Sequence, residues 1–253
     1  MKYILLLALF LSFDCFAKPV TAKSYIVTDL AGDVILEKNA DQVRSIASIT
    51  KLMTVIVVLD SNQNLDEELV INFSGYGYLH SRIPRAVKSL TRRELINLAM
   101  VKSDNLAAQT LCNYYPQGLS RCIAEMNHKA FVLNMMQTHY EDPTGLNPNN
   151  VSSAKDLVKI VIHAKNYGEI LDASGKDEVQ IKVKSKWWRF GNTNPLVRKS
   201  NDVKISKTGF INKSGGCVVM LIDTEVGERV VVLLGSKNTR TRFPEAQKIL
   251  LNT

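Results

Sequence analysis

Strand signals gather at the two ends of this chain and helical signals fill its middle, an order that admits few folds. Ser24–Thr28 and Val34–Glu37 are short β runs around Ala31-Gly32-Asp33, a hairpin signal. In the final third Val179–Lys184 alternates and Val203–Lys207 is extended, while Cys217–Asp223 and Arg229–Leu234 flank a turn at Glu225–Glu228. Pro244 is placed to open a closing helix over 244–252. In the middle, Val55–Leu59 is apolar without period-2 alternation, which favours a buried central helix over a strand. Thr91-Arg92-Arg93-Glu94 is a capping box opening a helix that breaks at Lys102–Asn105 and resumes over Leu106–Tyr114. Further helices are predicted over about 119–133 and over Leu157–Ala164, with a short strand at Leu69–Ile71. The expected fold class is α/β, with an antiparallel sheet of N- and C-terminal strands, helices on both faces and a helical middle region.

The first residues stand apart. Met1-Lys2, an apolar stretch from Ile4 to Phe13, and small residues at Cys15 and Ala17 read as a secretory signal peptide over 1–17. The remainder, 18–253, reads as one domain, for which 45% hydrophobic content supplies a core. No later run is long enough to span a bilayer, so no integral membrane anchor is expected and the periplasm is the expected location. A net charge of +8 suits an anionic partner, such as cell wall, membrane surface or nucleic acid. The charges are scattered, however, and a nucleic-acid partner is not expected. Their densest run, Lys182 to Arg189, alternates with apolar residues and reads as one strand with a solvated basic face. Of the cysteines left after processing, Cys112 and Cys122 are free to pair and Cys217 is odd. Neither cysteines nor histidines have metal-ligand spacing, and no metal or other cofactor is expected.

Three short motifs carry chemistry. Ser48-Ile49-Thr50-Lys51 places a hydroxyl and an amine three positions apart, on one face if the segment is helical. Ser103-Asp104-Asn105 interrupts the middle helices, and Lys207-Thr208-Gly209 ends an extended run. Each has a decoy: Ser152-Ser153-Ala154-Lys155, Ser236-Lys237-Asn238 and Lys213-Ser214-Gly215. Ser152 or Ser153 serves better as a helix N-cap, and Lys213-Ser214-Gly215 is turn chemistry. In penicillin-binding proteins and class A β-lactamases such motifs occur as an ordered set. Requiring that order leaves one consistent set.

That set resembles the serine D-alanyl-D-alanine peptidases, the low-molecular-mass penicillin-binding proteins. The similarity extends to Ala47–Thr54, Asp142-Pro143-Thr144-Gly145-Leu146, Asn192-Thr193-Asn194-Pro195-Leu196 and Phe210. The resemblance implies a β-lactamase/transpeptidase-like sandwich, with peptidoglycan stem peptides as substrate and β-lactams as covalent inhibitors. It implies Ser48 as nucleophile, Lys51 as base and Ser103 as a relay toward the leaving amine. Asn105 would hold a substrate amide, Lys207 and Thr208 the substrate carboxylate, and Gly209 would let substrate backbone lie along the strand. The backbone N–H groups of Ser48 and Phe210 would form the oxyanion hole, worth roughly 10²–10³ in rate per donor. Lys51 must be neutral to act as base, so burial and a neighbouring cation, which Lys207 could supply, are expected to lower its pKa.

A β-lactamase needs a fast route to deacylation, often a Glu acting through water. The Glu-x-x-x-Asn spacing is absent, since Gly145 follows Glu141 by four positions. Without the extra β domain and amphipathic C-terminal helix of anchored carboxypeptidases, the chain is most similar to soluble periplasmic D-alanyl-D-alanine endopeptidases, expected to act as a monomer. Carboxypeptidase activity is the alternative, and a non-catalytic β-lactam-sensing or wall-binding module is a third reading.

Overall fold

The computed structural model describes residues 19–74, 77–251 and 253; the expected signal peptide lies outside these residues. In chain order, β1 (Ser24–Thr28) and β2 (Val34–Lys38) form the expected hairpin, followed by the two-residue β3 (Arg44–Ser45) and α1 (Thr50–Asp60). The short β4 (Glu68–Val70) and β5 (Ser89–Thr91) pair with each other. Next come α2 (Arg92–Asn97), a π turn over Leu98–Lys102, α3 (Asn105–Asn113) and α4 (Leu119–Val132). Then follow β6 (Val151–Ser152), which pairs with β3, α5 (Ala154–Ala164) and α6 (Gly168–Ser174). The chain closes with the hairpin β7 (Glu178–Val183) and β8 (Lys186–Gly191), then β9 (Val203–Ile211), β10 (Gly215–Thr224), β11 (Gly227–Ser236) and α7 (Arg242–Leu250).

The main sheet is antiparallel, in the order β2-β1-β11-β10-β9, so the first strands meet the last as the sequence order demands. Ser24 faces Leu234 across β1 and β11. Side chains alternate between two apolar layers. Ile26, Val219, Leu221, Val230 and Val232 face the larger core with α1 and α5, while Val27, Val218, Met220, Val231 and Leu233 meet Ala246 and Ile249 of α7. The apolar run of α1 is buried from Thr50 to Val58, which explains its lack of an amphipathic pattern.

Local signals account for several boundaries. Thr91 caps α2, its side chain accepting from Glu94 N–H while the Glu94 carboxylate accepts from Thr91 N–H, the reciprocal box read from sequence. Thr91→Ala is expected to cost about 1 kcal/mol in denaturant unfolding. Ser153 caps α5 by accepting from Asp156 N–H, and Lys155 pairs with Asp41 at 2.7 Å, which assigns the second Ser-x-x-Lys to structure.

Four expectations change. Ser48 and Lys51 do not share one helix: Ser48 lies in a 3-10 turn, Ala47–Ile49, ahead of α1, with Ala47 at a left-handed φ of 47°. The basic run from Lys182 to Arg189 is two strands, with Lys184 at φ 55° turning the chain. The strand β5 and the helix α6 were not anticipated; both depend on partners remote in sequence. The closing helix starts at Arg242, before Pro244.

Candidate active site

The turn bearing Ser48 is fixed from several sides. Buried Thr50 donates its hydroxyl to Ala47 O at 2.8 Å and accepts from Asn150 Nδ2 at 3.0 Å. Asn150 also donates to Asp142 O, tying this turn to Asp142–Leu146. Two glycines permit the close approach. A Cβ at Gly145, whose φ is +79°, would stand 2.0 Å from Ala47 O. A Cβ at Gly209 would stand 2.8 Å from Ile46 O and 3.0 Å from Ser48 N. Gly209 thus lets β9 abut the Ser48 turn, a reason nearer to hand than room for a substrate backbone.

Lys51 lies on α1 and is wholly buried. Its Nζ is 2.9 Å from Ser48 Oγ, 2.7 Å from Asn105 Oδ1 and 2.5 Å from Thr144 O. Asp142 aims the Thr144 carbonyl: its carboxylate accepts from Gly145 N–H and Asn147 N–H, each at 2.7 Å, and from the Thr144 hydroxyl at 2.6 Å. Burial lowers the Lys51 pKa to about 7, against the opposing pull of Asp142 and Asp104. A neutral amine has two N–H donors and one lone pair. The Asn105 and Thr144 oxygens can take both donors, which leaves the lone pair for the Ser48 hydroxyl proton.

The role of base expected for Lys51 would, at this pKa, set a pH profile. Acylation by a soluble penicillin is expected to rise about tenfold per pH unit below pH 7 and to level off above it as Lys51 deprotonates. Stopped-flow acylation rates between pH 5 and 9 provide the measurement; a rate flat across that range counts against Lys51 as base.

A second group of polar residues faces the first. Ser103, at φ 58°, terminates the π turn, and its Oγ accepts from Lys207 Nζ at 2.7 Å. Lys207, on β9, also donates to Thr208 O at 3.0 Å. Its pKa is pushed well below the ordinary lysine range by burial first, then by Lys51 and Arg242. The second lysine expected beside Lys51 is present, but it is not the cause of the fall at Lys51, which burial accounts for; the repulsion between the two amines registers on Lys207. Hydrogen bonds join Ser48, Lys51 and Asn105 in one set and Ser103, Lys207 and Thr208 in the other. Asn105 is engaged at both ends, since its Nδ2 donates to Leu79 O at 2.7 Å; taking a substrate amide on this nitrogen requires release of Leu79. Phe210, next to Gly209, has a half-exposed ring on the edge strand.

Sequence reading missed three contributors. Thr193 accepts from the Thr208 hydroxyl at 2.8 Å and donates its N–H to Val101 O. It sits in the Asn192–Leu196 block, but nothing in the block itself indicates the contact. Asn150 braces the Ser48 turn. Arg242, nearly buried on α7, donates to Gly209 O at 2.8 Å, and burial lowers its pKa to about 10. A lone arginine before a terminal helix carries no motif. The Cys112–Cys122 disulfide joins α3, which begins at Asn105, to α4.

A family model described as D-alanyl-D-alanine carboxypeptidase matches residues 14–238. The chain belongs to this family. Within it, the chain is 36% identical over 233 residues to a D-alanyl-D-alanine endopeptidase of Pseudomonas aeruginosa, covering 89% of this chain and 75% of that relative. It is 35% identical over 237 residues to a D-alanyl-D-alanine endopeptidase of Escherichia coli, covering 91% and 76%. Among solved structures, the Streptomyces K15 DD-transpeptidase matches with a TM-score of 0.85 and 26% identity, over 92% of this chain and 97% of that one. Penicillin-binding protein D2 from Listeria monocytogenes in its cefotaxime-bound form matches at 0.83 and 25%, with the same coverages. The expected family and sandwich fold are thereby established for this D-alanyl-D-alanine carboxypeptidase family member.

Proposed function

We propose that this chain is a serine endopeptidase that cuts D-alanyl cross-links in peptidoglycan. The carrying observation is the buried Lys51 amine 2.9 Å from Ser48 Oγ, with two carbonyl oxygens able to take its other protons. Ser48 Oγ attacks the D-alanyl carbonyl and gives its proton to Lys51. The C–N bond breaks, the proton passes to the leaving amine with Ser103 as relay, and water then hydrolyses the ester. Lys207 and Thr208 receive the substrate carboxylate, whose negative charge favours the protonated form of Lys207. The Ser48 and Phe210 N–H groups hold the developing oxyanion. A β-lactam enters by the same attack and stays as a covalent adduct.

Endopeptidase activity is favoured by two endopeptidases at 35–36% identity that the chain matches over about nine-tenths of its own length. β-Lactamase activity is disfavoured by the acids at hand. Glu141 is exposed and paired with His139 at 2.8 Å, and the Asp142 carboxylate is occupied by local N–H groups and the Thr144 hydroxyl. Carboxypeptidase activity is the second reading, favoured by the description of the family model. Purified cross-linked muropeptides, digested and weighed by mass spectrometry, decide between them: monomers are expected, whereas loss of terminal D-Ala with cross-links intact overturns the endopeptidase reading. Among the described residues no helix is long and apolar enough to cross a membrane. A periplasmic location, with residues 18–253 as one unit, accords with this function.

A further inference from the structure

The β7–β8 hairpin has no part in the chemistry above, yet it is rooted in the cleft wall. Asn192 closes its base by donating N–H to Asp177 O at 2.7 Å and Nδ2 to Lys176 O at 2.9 Å. The next residue, Thr193, is bonded to Val101 near Ser103 on one side and to Thr208 on the other. From that root a six-residue strand reaches about 17–20 Å outward.

The two faces of the hairpin differ. Val179, Ile181, Val183 and Phe190 are buried on the inner face. The outer face pairs Gln180 with Arg189 and Lys182 with Trp187, all four exposed, and Trp187 is 61% exposed. Lys182 Nζ lies 5.9 Å from the Trp187 ring centroid. Residues 180–189 carry four cations and no acid. Arg189 has Glu178 at 3.7 Å, whereas Lys182, Lys184 and Lys186 have no carboxylate partner among the described residues.

We infer that this outer face binds the peptidoglycan polymer away from the scissile bond, with Trp187 packing on a sugar ring and Lys182 and Arg189 meeting stem-peptide carboxylates. The identity of the polymer rests on the peptidase reading. Three observations select it: an exposed flat aromatic surface beside amide and ammonium donors, unopposed positive charge facing a carboxylate-bearing substrate, and physical continuity with the cleft. A membrane surface fits less well. A hairpin that enters lipid leads with apolar residues, but this tip is Lys184-Ser185-Lys186, and adjacent Trp187 and Trp188 point to opposite faces. Contacts remote from the reacting bond suit a polymer-degrading enzyme, because they hold substrate without entering the cleft.

The test uses the full chain carrying Ser48→Ala, so that polymer is bound and not digested. Cosedimentation with purified insoluble peptidoglycan is expected to weaken about tenfold with Trp187→Ala, the scale of an aromatic anchor. Lys182→Gln/Arg189→Gln, two surface changes that leave the fold intact, are expected to weaken it about threefold and to reduce its salt dependence. Binding within twofold of the parent for both variants overturns the inference. So does a loss confined to phosphatidylglycerol–phosphatidylethanolamine vesicles, which points to membrane instead. With Ser48 restored, Trp187→Ala is expected to cut a short soluble muropeptide dimer at the parent kcat/KM while digesting whole peptidoglycan more slowly. Equal losses on both substrates indicate a structural role and overturn the inference. If the parent cuts no dimer at all, the endopeptidase reading fails while the polymer-binding measurement stands by itself.

Discussion

Lys51→Arg is expected to abolish covalent labelling by a penicillin that acylates the parent chain, with a fall of about 10⁴-fold or more in acylation rate. Positive charge is retained, so an electrostatic role alone predicts partial activity. The proposed role requires a neutral amine, and a guanidinium does not lose its proton near pH 7. The change also places a permanent, larger cation in a fully buried position close enough to Lys207 for the two to repel. Ser48→Ala should match it in rate while leaving the three contacts of Lys51 reduced only by one. Intact-protein mass after incubation with penicillin is the measurement, with circular dichroism to confirm folding. Labelling of Lys51→Arg within tenfold of the parent would falsify the assignment of Lys51 as base.

Gly145→Ala is expected to be the most destabilising single methyl addition described here, at about 3–5 kcal/mol. Two costs coincide. The backbone φ of +79° is one that side chains rarely adopt, and the new Cβ falls 2.0 Å from a carbonyl oxygen that cannot swing aside. Gly32 separates the two terms: its φ is +90°, but nothing lies within 4 Å of an added Cβ, so Gly32→Ala should cost only about 1 kcal/mol. Gly209→Ala, with its nearest clash at 2.8 Å and no positive φ, should fall between them in stability. It should nevertheless reduce acylation sharply, since the crowded atoms are Ile46 O and Ser48 N, both in the turn that carries the nucleophile. Urea unfolding of the three variants gives the order; equal costs at Gly145 and Gly32 would show that the predicted clash is relieved by movement.

What could be read from the sequence follows the range of the interactions. The capping box at Thr91 and the Ser153 cap act within three residues, so their chemistry is visible in the string. The central helix was legible because complete burial leaves an unbroken apolar run. The site residues were recognisable as an ordered set, and the structure places Ser48 by Lys51 and Ser103 by Lys207. Their supports were not legible. Arg242 reaches Gly209 O across a helix–sheet packing, and Asn150 reaches Thr50 through a fold of the chain a hundred residues long. The basic run was read as one strand because Lys184 is an uncommon residue for a left-handed turn, and no glycine or asparagine marked it.

The sheet order has a consequence in time. β1 cannot take its place until β11 exists to lie beside it, and Lys207 and Gly209 arrive on a strand made near the end of synthesis. A chain emerging N-terminus first therefore presents Ser48 and Lys51 long before the elements that complete the cleft. Contacts so distant along the chain form late in folding. A chain that has not yet reached β9 and β11 therefore carries Ser48 and Lys51 without Lys207, Gly209 and the strand beside β1.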